Sequence, residues 1–173
     1  MIILLLSLTN VILISCNVKQ KEQNDILVSN EVFSDSFTVN VLVTAERDDI
    51  FDMFYVLDSL DEKFTESNKI RKVIKGTGEP ELISFLVDRA NVLKFRIDLG
   101  RNLNQEGINI HSIEIKSKSK TLLLKGTLLK YFFNENRFMR FKNNGEIQFI
   151  PNRLKNPFIT SSALLNKKMQ IEF

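Results

Sequence analysis

Residues 37–44, FTVNVLVT, put Phe37, Val39, Val41 and Val43 on one side of an extended chain and Thr38, Asn40 and Thr44 on the other, with Leu42 the one apolar residue out of phase. A period of two belongs to a strand with one face buried, because a helix would scatter those four side chains around its circumference. The stretch LKFRIDL repeats it: Leu93, Phe95, Ile97 and Leu99 face one way, Lys94, Arg96 and Asp98 the other, and Gly100 ends the strand. In GINIHSIEIK the phase changes, with Ile108 and Ile110 in one register and Ile113 and Ile115 in the opposite one. A β-bulge near His111 and Ser112 keeps all four in the core.

Other segments follow the same logic. IFDMFYVL is apolar on both faces and reads as a central strand, KIRKVIK as a short edge strand, ELISFLV as another interior one. GTGEP between the last two is a turn, since no Lys-Ser or Lys-Thr of a phosphate loop follows it. TLLLKGTLLKYFF begins as strand and breaks at Gly126 into a short helical turn, and KNNG between RFMRF and EIQFI marks a hairpin over 137–150. The closing MQIEF alternates Met169, Ile171 and Phe173 and predicts a last strand. Seven to nine short strands with no long amphipathic helix describe an all-β fold: one antiparallel β-sandwich or jelly roll over residues 33–173. No disulfide can brace it, because Cys16 is the only cysteine; with 14 phenylalanines and no tryptophan, the core is Phe, Leu and Ile.

The first fifteen residues, MIILLLSLTNVILIS, carry no charge. At about 20 apolar residues per span the run is too short to cross a membrane, and it has the length of a secretory h-region. It ends in Leu13, Ile14, Ser15 and Cys16. These four residues resemble the lipobox of bacterial lipoproteins. The resemblance implies a signal peptide over 1–15, a thiol of Cys16 bearing diacylglycerol, and a mature chain beginning at Cys16. One departure stands out, in that the first positive charge, Lys19, follows the cysteine instead of preceding the apolar run. Residues 16–32 then form the lipidated Cys and a polar tether, of which 17–30 span about 20 Å as a coil. By the sorting logic of some diderm bacteria, Asn17 in place of Asp favours the outer membrane. The string VLKFRIDLG with INIHSIEI is similar to galactose-binding-like accessory β-sandwich domains, and that resemblance implies a glycan-related role.

Charge is uneven along the chain. Ten acids between Glu31 and Glu66 face only Arg47 and Lys63, and seven bases between Arg137 and Lys168 face only Glu146. The expectation is that the two blocks lie side by side and neutralise each other. A nucleic-acid role does not fit an exported, lipid-anchored protein.

The chemistry is sparse. His111 is the only histidine, so His-dependent nucleophilic schemes hang on one mid-strand residue and a zinc site lacks ligands. No cofactor is implied; a structural Ca²⁺ could use Asp48, Asp49 and Asp52, or Asp58, Asp61 and Glu62, although EF-hand spacing is missing. Arg96 and Asp98 share a strand face as a recognition pair or as part of a surface laced with cross-strand ion pairs. Tyr55 and Tyr131 could stack on sugar rings or pack in the core. KSKSK, 116–120, is a solvated hairpin end or a contact for anionic headgroups. The expected function is an envelope lipoprotein whose sandwich binds a glycan or a protein without catalysis. The alternatives are an assembly lipoprotein packed against a membrane partner and a glycan-acting enzyme with two carboxylates.

Overall fold

The structure is a computed structural model that describes residues 36–57, 63–151 and 156–173. Cys16, the tether, Asp58, Asp61, Glu62 and part of the basic block lie outside the described residues. The strands are β1 (Phe37–Ala45), β2 (Asp49–Val56), β3 (Lys69–Ile74), β4 (Pro80–Val87), β5 (Lys94–Asp98), β6 (Gly107–Ser117), β7 (Lys120–Lys125), β8 (Phe133–Glu135), β9 (Met139–Phe141), β10 (Glu146–Phe149) and β11 (Phe158–Ser161). Helix α1 (Leu128–Phe132) and helix α2 (Ala163–Glu172) complete them. Two antiparallel sheets result: a six-stranded one ordered β4-β1-β6-β10-β9 with β7 also on β6, and a five-stranded one ordered β3-β2-β5-β11-β8. The fold is the all-β sandwich that the alternation demands.

The inward residues of β1, Phe37, Val39, Val41, Val43 and Ala45, are all at most 3% exposed, so one face of the strand lies in the core along its whole length. Across the gap Phe95 of β5 meets Phe37 edge-on at 5.9 Å between ring centres, and within its own sheet it meets Phe133 of β8 at 5.8 Å. The edge-to-face contact with Phe37 joins the two sheets, and both contacts add to area burial. Beneath them the buried Ser161 hydroxyl accepts the Phe95 N–H at 3.0 Å. The phase change in β6 is resolved by a bulge: Leu42 pairs with Ser112 but Val43 pairs with Ile110, which leaves His111 as the extra residue. Ile108, Ile110, Ile113 and Ile115 are consequently all buried.

The hairpin at 137–150 forms with Asn144 (φ 58°, ψ 26°) and Gly145 (φ 87°) in the left-handed region, and Glu146 N–H donates to Asn143 O. A Cβ on Gly145 would fall 2.0 Å from Ile110 O, so only glycine lets the turn lie against β6 at its bulge.

Two expectations are corrected. The strand ELISFLV pairs only with β1 among the described residues, so β4 is an edge; Leu82 and Leu86 face outwards, 63% and 54% exposed. Its run of apolar residues comes from a sheet face that happens to carry leucines, not from burial on both sides. The closing segment is helix, not strand. Ser162 caps it by accepting the Leu165 N–H, and Leu165, Met169 and Phe173, four residues apart, turn to the core while Ile171 is 71% exposed. Of the two charge blocks, Glu46 and Lys142 line one cleft, while among the described residues Asp48, Asp52 and Glu66 form their ion pairs with Lys75, Arg71, Arg101 and Lys69.

Replacing Phe95 with Ala should lower unfolding free energy by about 3–5 kcal/mol in urea titrations, as for a large buried aromatic. The helical assignment has its own check: Met169→Ala should cost about 2–5 kcal/mol, and Ile171→Ser should leave the transition unchanged. A strand built on Met169, Ile171 and Phe173 would make both losses similar.

Candidate functional site

The outward face of the five-stranded sheet holds Arg96 and Asp98, two residues apart on β5. The guanidinium grips the carboxylate twice, Nε to Oδ1 at 2.7 Å and Nη2 to Oδ2 at 3.2 Å. Its plane is packed among three rings, with the guanidinium carbon 4.4 Å from the centre of Phe54, 4.9 Å from Phe158 and 5.4 Å from Phe64. Register places Asp98 opposite Asp52 of β2, and Asp52 in turn opposite Arg71 of β3. Arg71 donates to both oxygens of Asp52, at 2.7 and 2.8 Å, and Arg101 stands 3.8 Å away. The pairing within β5 therefore runs along the strand, while the cross-strand neighbour of Asp98 is a like charge.

Two adjacent carboxylates in one network titrate in opposite directions. The hydrogen bonds from Arg71 hold Asp52 below the usual aspartate range against the effect of burial, helped by the charges of Arg71, Lys69 and Arg101. Burial pushes Asp98 up, and the Asp52 charge adds to it; Arg96 and an Asn156 hydrogen bond offset part of the rise. Such a split can assign an acid and a base in an active site. Here both residues are almost wholly buried, Asp52 at 2% and Asp98 at 3% exposure, and each is clasped by an arginine. The arrangement is a closed ionic clasp, and the clasp has no open face for a substrate among the described residues.

The tyrosines do not join it. Tyr55 alternates with Phe54 and so packs on the inner face against the core. Tyr131 is on α1 and 70% exposed, with its carbonyl accepting the Ser162 hydroxyl. Of the acids considered for Ca²⁺ that are described, Asp49 accepts the N–H groups of Ile50, Arg101 and Asn102, and Asp48 accepts that of Gly76. Asp48 is held below its ordinary value by that Gly76 bond and by Lys75. Among the described residues no group of three or more His, Cys, Asp or Glu side chains is placed to hold a metal.

An open cleft of about 540 Å³ lies instead on the outward face of the six-stranded sheet, at the end of β1 remote from Phe37. Its floor is a row across three strands, Thr44 of β1, Asn109 of β6 and Glu146 of β10, which pair directly in register. Glu46, Glu106, Lys142 and Gln148 rise around it. A Cβ at Gly107 would sit 2.4 Å from Ile147 O, so the close β6–β10 approach under the cleft requires glycine. The bulged His111 returns its Nε2 to within 2.8 Å of Thr44 Oγ1, which fixes the Thr44 hydroxyl at the cleft's edge. Asn109 Oδ1 is buried and accepts no hydrogen bond among the described residues.

The amide and carboxylate groups suit hydroxyl- or ammonium-bearing ligands, and among the described residues no aromatic ring lines the cleft. Of these residues only the bulge at His111 and the 137–150 hairpin are legible in the sequence. The row Thr44–Asn109–Glu146 depends on strand register, which local sequence does not state. No known protein family, no characterised protein and no solved structure matches the chain.

The clasp makes a test of sign. Asp52 has a lowered pKa, so its contribution is present above the unfolded aspartate pKa and is lost as pH falls through the folded value; Asp98, raised, acts in the opposite sense, favouring the folded state at low pH and losing that advantage as pH rises through its folded value. Asp52→Asn should cost about 1–2 kcal/mol at pH 7 by denaturant titration, discounted for the solvent around Arg71, with the deficit shrinking towards pH 3. Asp98→Asn, which removes the like charge beside Asp52, should cost less at pH 7. A larger loss for Asp98→Asn would reverse the assignment.

Proposed function

We propose that the protein is an envelope lipoprotein in which acylated Cys16 holds the chain to a membrane, the outer membrane by the identity of Asn17, and the β-sandwich is a non-catalytic binding module. Its ligand is a glycan or a protein of the envelope. The observation that carries the binding reading is the open polar cleft floored by Thr44, Asn109 and Glu146. The Asn109 amide, the Thr44 hydroxyl and the Glu146 carboxylate supply hydrogen-bonding groups of the kind a polar ligand needs. Among the described residues no helix is long and apolar enough to cross a membrane. An anchor through Cys16 is compatible with that.

The carboxylates Asp52 and Asp98 are buried and clasped. A glycan-acting enzyme would have to draw its acid and base from Glu46, Glu106 and Glu146 around the cleft. The assembly reading has one observation in its favour: Leu82, Leu86 and Leu123 are 63%, 54% and 46% exposed on the outward face of the six-stranded sheet, where a partner could cover them.

Mass spectrometry of the protein from envelope fractions should give an amino terminus at Cys16 carrying the mass of a diacylglyceryl group. An intact Met1 would remove the anchor. A glycan array probed with residues 31–173 should show saturable binding that Asn109→Ala weakens about 5- to 30-fold and that Tyr131→Ala leaves alone. Cleavage of an arrayed glycan would replace the binding reading with the enzymatic one, and silence would transfer the ligand to the protein class, to be sought by cross-linking in the membrane.

A further inference from the structure

The two ends of β1 differ in charge. At the Phe37 end the register places Phe37 opposite Val87 and Ser117, so the end of β4 and the β6–β7 turn flank the point at which the described chain begins. Arg89 follows β4, and Lys116, Lys118 and Lys120 surround the turn; all four are exposed. Lys118 is at its tip with φ 51°, and the Ser117 hydroxyl reaches Ala90 O at 3.5 Å, which ties the turn to the Arg89 loop. Arg89 and Lys118 share the rim of one groove with Phe37. Among the described residues the acids on this rim are Asp88 and Glu114, the latter paired with Lys116 at 2.9 Å. At the opposite end Glu46, Glu79, Glu81, Glu106 and Glu146 gather around Ala45 with Asp48, opposed among the described residues by Arg47, Lys75 and Lys142.

We propose that the rim of Arg89, Lys116, Lys118 and Lys120 is a docking surface for the anionic lipid surface to which Cys16 anchors the chain, so that the sandwich stands with its cleft facing away from the membrane. The proposal rests on the lipoprotein reading. Two independent features point to the occupant. The first is chain connectivity: the chain runs back towards Cys16 from the middle of this rim, where Ser36 precedes Phe37 and stands only twenty residues (36 minus 16) beyond the cysteine. The second is charge, since the sign of the rim matches phosphate-bearing headgroups, while the acidic end would be repelled by them. Along the nine residues of β1 the two ends are about 30 Å apart, several Debye lengths at physiological salt, so the basic end can be attracted while the acidic end stays outside the surface field.

Residues 31–173 form one compact unit containing the whole described core, so the rim can be tested without lipid or leader. Co-sedimentation with vesicles containing about one-third phosphatidylglycerol should retain this unit at low salt and release it at high salt, and pure phosphatidylcholine vesicles should not retain it. Lys118→Ala and Lys120→Ala, both exposed and outside the core, should each weaken the association about fivefold. No retention on anionic vesicles, equal retention on neutral ones, or indifference to both substitutions overturns the proposal. The anchor is read separately: an unmodified Cys16 with vesicle binding intact sinks the lipoprotein reading alone, and a lipidated Cys16 with no vesicle binding sinks this one alone.

Discussion

The contact of Phe95 with Phe37 and Phe133 is the joint on which the sandwich depends. Neither sheet can be stable with one apolar face in water, and the chain has no disulfide to hold the two together. Phe95 crosses from the five-stranded sheet to the first residue of β1, and Phe133 closes the other side of its ring. Around that joint every inward position of β1 is aliphatic or aromatic and buried. The strands whose pattern is weaker, β8 at three residues and β9 at three, are held by pairing with β11 and β10 more than by their own sequence.

Burial on the far side of the five-stranded sheet has a different origin. There the sheet face is not apolar but ionic, and it is closed by rings laid against a guanidinium: Arg96 covers Phe54 and is itself flanked by Phe158 and Phe64. Arginine can do this because its planar, weakly hydrated head stacks on aromatic faces while its edge stays free to bind a carboxylate twice. Asp98 supplies the carboxylate, and the desolvation that this close packing imposes is what raises its pKa. Asp52 escapes the same fate because Arg71 serves it from a more exposed strand. The two aspartates differ in titration because burial outweighs the arginine at Asp98, whereas the Arg71 hydrogen bonds outweigh burial at Asp52.

Strand-level features are readable from the sequence wherever the physics is local. Alternation locates β1 and β5, the phase change in 107–116 locates the bulge, and Asn-Gly locates the hairpin, since each depends on a few adjacent residues. The pairing of Arg96 with Asp98 is visible as a shared face, but its closure by Phe54, Phe64 and Phe158 is not, because those rings come from three separate segments. The same limit hides the cleft. Thr44, Asn109 and Glu146 are ordinary polar residues on three strands, and only register makes them a row. Helix α2 escapes the alternation rule for another reason: Met169, Ile171 and Phe173 satisfy a period of two, and Leu165, Met169 and Phe173 satisfy a period of four. The Ser162 cap decides between them, and it stands outside the five residues on which a strand reading rests.

The bulge at His111 links the core to the surface. An unbroken β6 would keep Ile113 and Ile115 inside only by turning Ile108 and Ile110 to solvent, so the extra residue is required by the core alone. Its placement has a consequence on the other face, because the bulged side chain turns back to hold the Thr44 hydroxyl beside the cleft. Gly145 closes on the carbonyl of Ile110, immediately before the bulge, and so brings Glu146 into line with Asn109. The polar row on the surface is thus positioned by the same irregularity that lets four isoleucines share one core, which couples the geometry of the cleft to the packing beneath it.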